Sequence, residues 1–325
     1  MSPRTTLELV AGVLAGEAPA VARAISLLED GAPASRDILK AIHKRAGRSW
    51  IVGVTGPPGA GKSTLVDGLA ASYRAMGRRV GIVAVDPSSA FSGGAVLGDR
   101  IRMQRHAGDS GVFIRSMATR GHFGGLSRAA SDAADVLDAA GFDLLLLETV
   151  GVGQDEVEVM RAADCVLVVL VPGLGDDIQA IKAGLLEIAD LYVLNKADRE
   201  GVERLESEIA AMLSLGVGPG RRTPGMVRTI AVRGEGLERL SEGIERHRQE
   251  VIASGAAEER RRERCRFRLV DLIRERVLRW AAEETGGDDR LSAAAASVHE
   301  RRADPYEAAD AILGAFASGK WRDRR

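Results

Sequence analysis

The chain has few cysteines and histidines and almost no net charge, which disfavours several classes of protein. Its 325 residues include only two cysteines and five histidines, and the formal net charge is −1. Cys165 and Cys265 cannot form a metal cluster between them and do not suggest a disulfide scaffold, which favours a reducing compartment. The near-zero net charge provides no field that would steer the protein toward nucleic acid or a membrane. We therefore expect neither as a partner.

Long apolar runs are also missing from the sequence. The longest one, residues 165–171, has the length of a strand, whereas a membrane-spanning helix needs about 20 apolar residues. The N-terminal residues show no signal-peptide pattern. These absences predict a soluble, cytoplasmic protein with one substantial core and smaller appendages.

The stretch IVGVTGPPGAGKST, residues 51–64, has the complete P-loop pattern. An apolar run predicts a buried strand before the loop, and a helix should follow from Lys62. Backbone N–H groups and the helix dipole would bind phosphate, Lys62 would reach the β- and γ-phosphates, and Ser63 would bind magnesium. The alternative is a glycine-rich turn with a surface lysine. The predicted nucleotide contacts of this loop are Gly56, Pro57, Pro58, Gly59, Ala60, Gly61, Lys62, Ser63 and Thr64.

Short apolar segments alternate with amphipathic segments from about residue 48 to residue 250. This alternation predicts an α/β fold in which helices cover both faces of a mostly parallel sheet. With the phosphate-binding motif, it predicts a P-loop NTPase domain over 48–250, between a helical N-terminal extension (1–47) and a helical C-terminal arm (251–325). The predicted strands are 50–55, 80–85, 112–115, 143–147, 165–171, 190–194 and 227–232.

Three carboxylates follow predicted strands, at the edge where parallel sheets bind ligands. Asp86 follows the second strand, Asp99 lies on the loop after it, and Glu148 closes the fourth strand. Carboxylates beside a P-loop hold magnesium or orient an attacking water. We assign all three to the magnesium site with Ser63 and favour Asp86 for positioning water. Each could instead cap a turn or a helix, and which one touches the metal stays open.

Two further loops have the features of nucleotide-dependent switches. Glu148 to Gly151, ETVG, is similar to the DxxG motif of G proteins, so Gly151 could donate its backbone N–H to the γ-phosphate. Residues 172–182 contain glycines and paired aspartates between a strand and a helix, which predicts a mobile loop on the ligand side. That second stretch fits equally well a plain connection in which Asp176 or Asp177 caps the helix.

Residues 195–198, NKAD, fit the NKxD motif of guanine-binding proteins. The Asp198 carboxylate can accept hydrogen bonds from the ring N–H and the exocyclic amine of guanine, a pair of donors that adenine lacks on that edge. Asn195 would hold the loop and approach the base, and the stem of Lys196 would lie along the ring. The last predicted strand leads into a further loop that could contact the base, formed by Ala231, Val232 and Arg233.

The sequence changes character after about residue 250. Residues 258–284 form a predicted long helix with apolar residues at helical spacing, and Asp304 should cap a final helix that starts at Pro305. An apolar stripe beyond a complete nucleotide domain predicts packing on another subunit, most simply in a homodimer. The basic run 260–268 could touch nucleic acid, but interleaved glutamates favour a solvated helix face.

Taken together, the motifs resemble those of the MeaB family of G-protein chaperones over nearly the full length. The matching segments are GVTGPPGAGKST (53–64), VAVDPSS (83–89), GDRIRM (98–103), ETVGVGQDEVEV (148–159) and NKAD (195–198). The resemblance implies a GTPase that binds GTP or GDP with Mg²⁺ and dimerises through its C-terminal arm. It also implies a partner, the adenosylcobalamin-dependent methylmalonyl-CoA mutase, whose cofactor loading the GTPase gates and whose inactivation it limits.

The same resemblance implies roles for individual residues. Lys62, Ser63, Asp86, Asp99 and Glu148 would serve phosphate and magnesium. The loop 172–184 would be an additional, catalytically important switch ordered by the partner, with the residues Asp176, Gln179 and Lys182.

Two other functions stay open. A P-loop kinase that phosphorylates a small molecule or a transport protein would need an acceptor pocket, which no stretch clearly supplies. A nickel-insertion GTPase usually carries segments rich in cysteine or histidine, and here these residues are few and scattered.

Overall fold

The computed structural model describes residues 3–86, 104–106, 108–118, 125–149, 160–173, 188–216, 223–284 and 288–317. These residues include three short 3₁₀ turns, 43–45, 104–106 and 231–233. The helices are α1 Pro3–Leu14, α2 Ala18–Glu29, α3 Ser35–Ile42, α4 Lys62–Ala75, α5 Gly125–Ala139, α6 Val202–Gly216, α7 Leu237–Ala253, α8 Ala256–Glu284, α9 Asp288–His299 and α10 Pro305–Ala317. The strands are β1 Trp50–Thr55, β2 Val80–Asp86, β3 Val112–Ala118, β4 Leu144–Thr149, β5 Cys165–Leu170, β6 Leu191–Asn195 and β7 Gly225–Thr229.

The seven strands form one sheet in the order β3-β2-β4-β1-β5-β6-β7, and the strand pairs are parallel. The predicted α/β fold with a parallel sheet is therefore confirmed. β7 ends at Thr229 rather than at 232, because residues 231–233 turn into a 3₁₀ helix. β1, which leads into the P-loop, lies between β4 and β5, so the carboxyl ends of three strands meet around this loop.

Helices cover both faces of the sheet. The first face carries α1, α2, α3, α5 and α6, whose apolar side chains pack with those of β2, β4, β5 and β6 in one buried cluster. The second face carries α4, α7 and the start of α8, packed on Trp50, Val52 and Val54 of β1 and on neighbouring strands. The strands are continuous apolar runs because both of their faces are buried.

The chain divides into two compact units, Met1–Arg264 and Cys265–Arg325. The N-terminal helices belong to the first unit, where Val13, Val21 and Ile38 are fully buried. In the second unit, Leu269, Ile273 and other apolar side chains are exposed. The predicted domain limits and the homodimer stay predictions. None of the helices in the described ranges combines the length and the apolar content needed to cross a membrane.

The final helix begins as predicted. Asp304 Oδ1 accepts the backbone N–H groups of Tyr306 at 2.7 Å and Glu307 at 3.0 Å. The aspartate therefore caps α10, satisfying two backbone donors of its first turn.

The start of α8 is bound to carboxylates at the amino edge of the sheet. Asp164 accepts a hydrogen bond from Ile51 N at 2.9 Å and pairs with Arg264 at 3.0 Å. Asp190 accepts Val166 N at 2.9 Å and both terminal nitrogens of Arg260, at 2.7 and 3.0 Å. The hydrogen bond to Asp190 raises the pKa of Arg260. At its start, the predicted solvated face 260–268 thus also anchors α8: Arg264 binds the buried Asp164, and the exposed Arg260 binds the partly buried Asp190.

Replacing Asp164 by alanine should lower the free energy of unfolding by about 3 kcal/mol, because it leaves a backbone donor and an arginine without their buried partner. Urea denaturation followed by circular dichroism measures this loss. Glu258→Ala is the control, since Glu258 is exposed and pairs only loosely with Arg261, at 3.8 Å. A loss for Asp164→Ala no larger than that of the control would contradict the anchoring role.

Candidate nucleotide-binding site

The P-loop follows β1 and leads directly into α4. Gly56 has φ 141°, and a Cβ there would lie 2.2 Å from Val169 O. Gly61 has φ 87°, and a Cβ there would lie 2.5 Å from Asn195 Nδ2. Both glycines are thus required by backbone conformation and by close neighbours. Gly59, with φ 76°, has open space around the same position, as the close approach of a phosphate requires.

Lys62 is the first residue of α4 and is buried. Its Nζ donates hydrogen bonds to Gly56 O at 2.7 Å and to Pro57 O at 3.0 Å. The ammonium group therefore lies against the P-loop that the sequence assigns to phosphate, while Pro58 and Gly59 remain exposed. This arrangement places a cation and a helix N-terminus at one point, the two features that favour bound anions.

Two of the predicted magnesium ligands are in direct contact. Ser63 Oγ donates a 2.6 Å hydrogen bond to Glu148 Oε1, and both side chains are buried. The backbone of Asp86 ends β2, where Ala84 is opposite Glu148, so Asp86 lies two residues further along the same edge. Hydroxyl and carboxylate oxygens are the ligands that Mg²⁺ prefers. The donor set at this position fits the ion.

Asn195 joins three segments of the site. Its Nδ2 donates to Ala60 O of the P-loop at 2.8 Å, and its Oδ1 accepts from Thr229 Oγ1 and from Ala231 N, each at 3.1 Å. The side chain is 2% exposed, so the amide is committed to these loops. Of the two roles predicted for Asn195, the structure places the residue in the one that holds the loop.

Replacing Asn195 by alanine should lower the free energy of unfolding by about 2–3 kcal/mol, because buried backbone groups lose their partner. Thermal or urea unfolding measures the loss. Thr229→Ala removes only one of the contacts and should cost about 1 kcal/mol. Equal losses in the two variants would contradict the joining role of the asparagine.

Lys196 and Asp198 lie on the exposed side of the same loop. Lys196 has the left-handed φ of 55°, and its Nζ reaches Gly59 O at 2.7 Å, so the lysine stem spans from the NKxD motif to the P-loop. Asp198 Oδ2 lies 3.6 Å from Arg233 Nη2. Ala231 is buried, whereas Val232 is 80% exposed. The predicted base-binding residues thus come together in one place.

Several predicted site residues lie outside the described part of the chain. They are Asp99, Gly151, Asp176, Gln179 and Lys182, together with the side chain of Asp86. Their assignments to magnesium, to the γ-phosphate and to the switch stay predictions.

Sequence reasoning missed two groupings. Thr149 Oγ1 donates to Thr55 Oγ1 at 3.1 Å, a buried bond between β4 and β1 just behind the P-loop. At the opposite edge, Cys165, Asp190 and His247 bring their ligand atoms within 4.8 Å of one another. The guanidinium of Arg260 already binds both oxygens of Asp190 there, which disfavours a cation. In the sequence, the only sign of the contact between Thr55 and Thr149 is that each threonine lies at the end of a strand.

A parallel sheet with a P-loop after its central strand, joined to an NKxD loop, defines a P-loop GTPase. Residues 21–285 match the family described as methylmalonyl-CoA mutase-associated GTPase MeaB. The chain belongs to this family.

Relatives agree with this assignment. The chain is 45% identical to a Pyrococcus abyssi protein whose name marks it as an inferred GTPase, over 96% of this chain and 97% of the relative. It is 32% identical to the mitochondrial methylmalonic aciduria type A homolog of Mus musculus, over 95% and 79%. A solved structure described as LAO/AO transport system kinase superposes with a TM-score of 0.73 at 27% identity, covering 98% of this chain and 99% of that one.

Proposed function

We propose that this GTPase is magnesium-dependent and that it binds an adenosylcobalamin-dependent methylmalonyl-CoA mutase, gating the loading of the mutase cofactor and limiting its inactivation. The observation that supports GTP binding is the set of hydrogen bonds of Asn195, which joins the NKxD loop to the P-loop and to the loop at Ala231. The mutase part rests on the family description and on the name of the mouse relative.

Each residue of the site has a separate role in GTP hydrolysis. Lys62 leaves its two carbonyl partners and pairs with the β- and γ-phosphate oxygens, while the P-loop N–H groups bind the same phosphates. Ser63 and Glu148 would hold Mg²⁺ together with Asp86 and Asp99, and the ion would neutralise phosphate charge. Asp86 orients the attacking water. Asp198 accepts the guanine donors, and Lys196 lies along the base.

The ordering of two loops links the bound nucleotide to the partner protein. Gly151 donates its N–H to the γ-phosphate, and Asp176, Gln179 and Lys182 form the switch that the mutase orders. Turnover without the partner is slow, because the sequence offers no arginine finger or Ras-like glutamine. The protein works as a cytoplasmic homodimer whose C-terminal helices supply the subunit contact, using the exposed apolar residues of the second unit.

GTP hydrolysis by the purified protein, with and without a methylmalonyl-CoA mutase from the same source, tests this proposal. We expect hydrolysis that prefers GTP over ATP, requires Mg²⁺ and rises at least about tenfold in a complex seen by sedimentation, since groups supplied by partners are worth orders of magnitude. Equal rates with and without the mutase, and no complex, would overturn the partner assignment but leave the GTPase intact.

A kinase function is the second candidate, because the solved relative is described as a transport system kinase. The same reaction with γ-labelled GTP distinguishes the two functions. Label recovered as free phosphate supports hydrolysis, whereas label on a small-molecule or protein acceptor supports phosphoryl transfer.

A further inference from the structure

A cavity of about 470 Å³ opens at the amino edge of the sheet. Its walls are the ends of α1 and α4, the entrances to β2 and β4, and part of α7, all in the first unit. The P-loop lies at the other end of β1, which is six residues long, or about 20 Å at 3.3 Å per residue. The cavity is therefore separate from the nucleotide site. Its volume is within the range of small-molecule sites, about 300–1,000 Å³.

Arginines dominate the charge of this cavity. Five arginines line it against three carboxylates, a formal excess of two positive charges. The arginines are Arg45, Arg48, Arg78, Arg79 and Arg248.

Backbone groups and a tyrosine already engage the three carboxylates. Asp138 accepts N–H groups from Gly47, Arg48 and Ser49. Asp143 accepts Arg79 N at 2.7 Å, and Glu245 accepts Tyr73 Oη at 3.2 Å. Burial, followed by the charge of Glu245, raises the pKa of Tyr73, so this hydroxyl keeps its proton. Asp143 also lies 3.8 Å from Arg78 and Glu245 lies 3.6 Å from Arg248, so two of the acids each pair with one arginine of the walls.

Three of the arginines have no acidic partner among the described residues. Within those ranges, no carboxylate lies within ion-pair distance of the side chains of Arg45, Arg48 or Arg79. Arg79 is nevertheless fixed, because its Nη1 donates to Ala140 O at 2.7 Å and its guanidinium lies 4.4 Å from the centre of the Phe142 ring. Arg45 and Arg48 are exposed at the rim. A fixed guanidinium with two others nearby that no described acid neutralises is suited to bidentate recognition of phosphate oxygens.

We propose that this cavity is a second anion site, which binds a small compound carrying two or more phosphate groups. Phosphate matches the fork geometry of several arginines better than a single carboxylate does, and its negative charge offsets the positive excess of the walls. The two sites lie at opposite ends of α4. Lys62 of the nucleotide site is its first residue, and Tyr73 of the cavity lies in its last turn. The inference does not depend on the identity of the protein partner.

Titration calorimetry with pyrophosphate tests the site. The protein is first saturated with GDP so that the P-loop is occupied, and the titration is run without free Mg²⁺, because the ion would complex pyrophosphate and cancel its charge. We expect one binding event in the wild type and at least a tenfold weaker affinity in Arg45→Ala/Arg48→Ala, because hydrogen bonds between charged groups are lost. Arg204→Ala is the matched control, since it removes an exposed arginine of α6 that pairs with Glu208. Its affinity should stay within about twofold of the wild type.

Three results would overturn the inference. One is the absence of binding to the GDP-loaded wild type. Another is equal weakening in the double variant and in Arg204→Ala, which would indicate a general effect of charge. The third is binding that appears only without GDP and disappears in Lys62→Ala, which would assign pyrophosphate to the P-loop. Arg48→Glu provides a second variant at the rim, and it should weaken binding at least as much as the double alanine variant.

Discussion

Replacing Lys62 by alanine should lower kcat/KM for GTP about 1,000-fold, which corresponds to about 4 kcal/mol of transition-state stabilisation. The lysine is buried at the start of α4, with its Nζ held by Gly56 O and Pro57 O. No other lysine of the described site occupies that point, because Lys196 reaches Gly59 O on the exposed side. Phosphate release under saturating Mg²⁺ measures the effect.

The loss must come from chemistry rather than from unfolding. The thermal midpoint of Lys62→Ala is therefore measured beside its activity, because the buried carbonyls of Gly56 and Pro57 lose a donor in this variant, and rates are compared well below that midpoint. Lys44→Ala, which removes an exposed lysine near the N-terminal helices, is the control for a change in charge and should leave kcat/KM unchanged. Activity of Lys62→Ala within about fivefold of the wild type would contradict the role of this lysine.

Replacing Asp198 by asparagine should weaken GTP binding about 1,000-fold and improve binding of xanthosine triphosphate. The carboxylate would accept two donors from guanine, whereas the asparagine amide has one acceptor oxygen and turns an N–H group toward the second donor. Xanthine has a carbonyl where guanine has its amine, so the asparagine amide can donate to it. Affinities measured with fluorescent analogues of both nucleotides give the result as a ratio.

Arg233 provides the control for charge at this position. Its Nη2 lies 3.6 Å from Asp198 Oδ2, so asparagine also removes that exposed ion pair. Such pairs contribute little, and Arg233→Ala should preserve the preference for GTP over xanthosine triphosphate, because the Asp198 carboxylate that sets this preference remains. If Arg233→Ala matched the loss of Asp198→Asn, the pair rather than the base contact would explain the effect.

Local patterns predicted much of this fold. The seven strands were recognisable because short apolar runs alternate with amphipathic segments, and the P-loop and NKxD residues come together as the parallel sheet requires. The cap at Asp304 was also recognisable from its neighbour Pro305. These signals lie within a few residues of one another in the sequence.

Contacts between distant residues could not be predicted in the same way. Ser63 and Glu148 are 85 residues apart, and sequence assigned both to magnesium without indicating that they touch. The pairing of Arg260 with Asp190, 70 residues apart, makes the start of the predicted solvated face an anchor as well. Each depends on which strands become neighbours, and the order β2-β4-β1-β5 follows no periodicity in the chain.

The position of β1 has a consequence for synthesis of the protein on the ribosome. Both neighbours of this strand are made much later: Thr55 meets Thr149, 94 residues on, and Ile51 meets Asp164, 113 residues on. Asn195, which donates a hydrogen bond to Ala60 O, is made later still, 135 residues after Ala60. Pairing over such separations is slow. The nascent chain therefore carries an apolar strand and an unfinished nucleotide site until more than half of the protein has emerged, a period in which exposed apolar surface and unpaired strand edges favour aggregation.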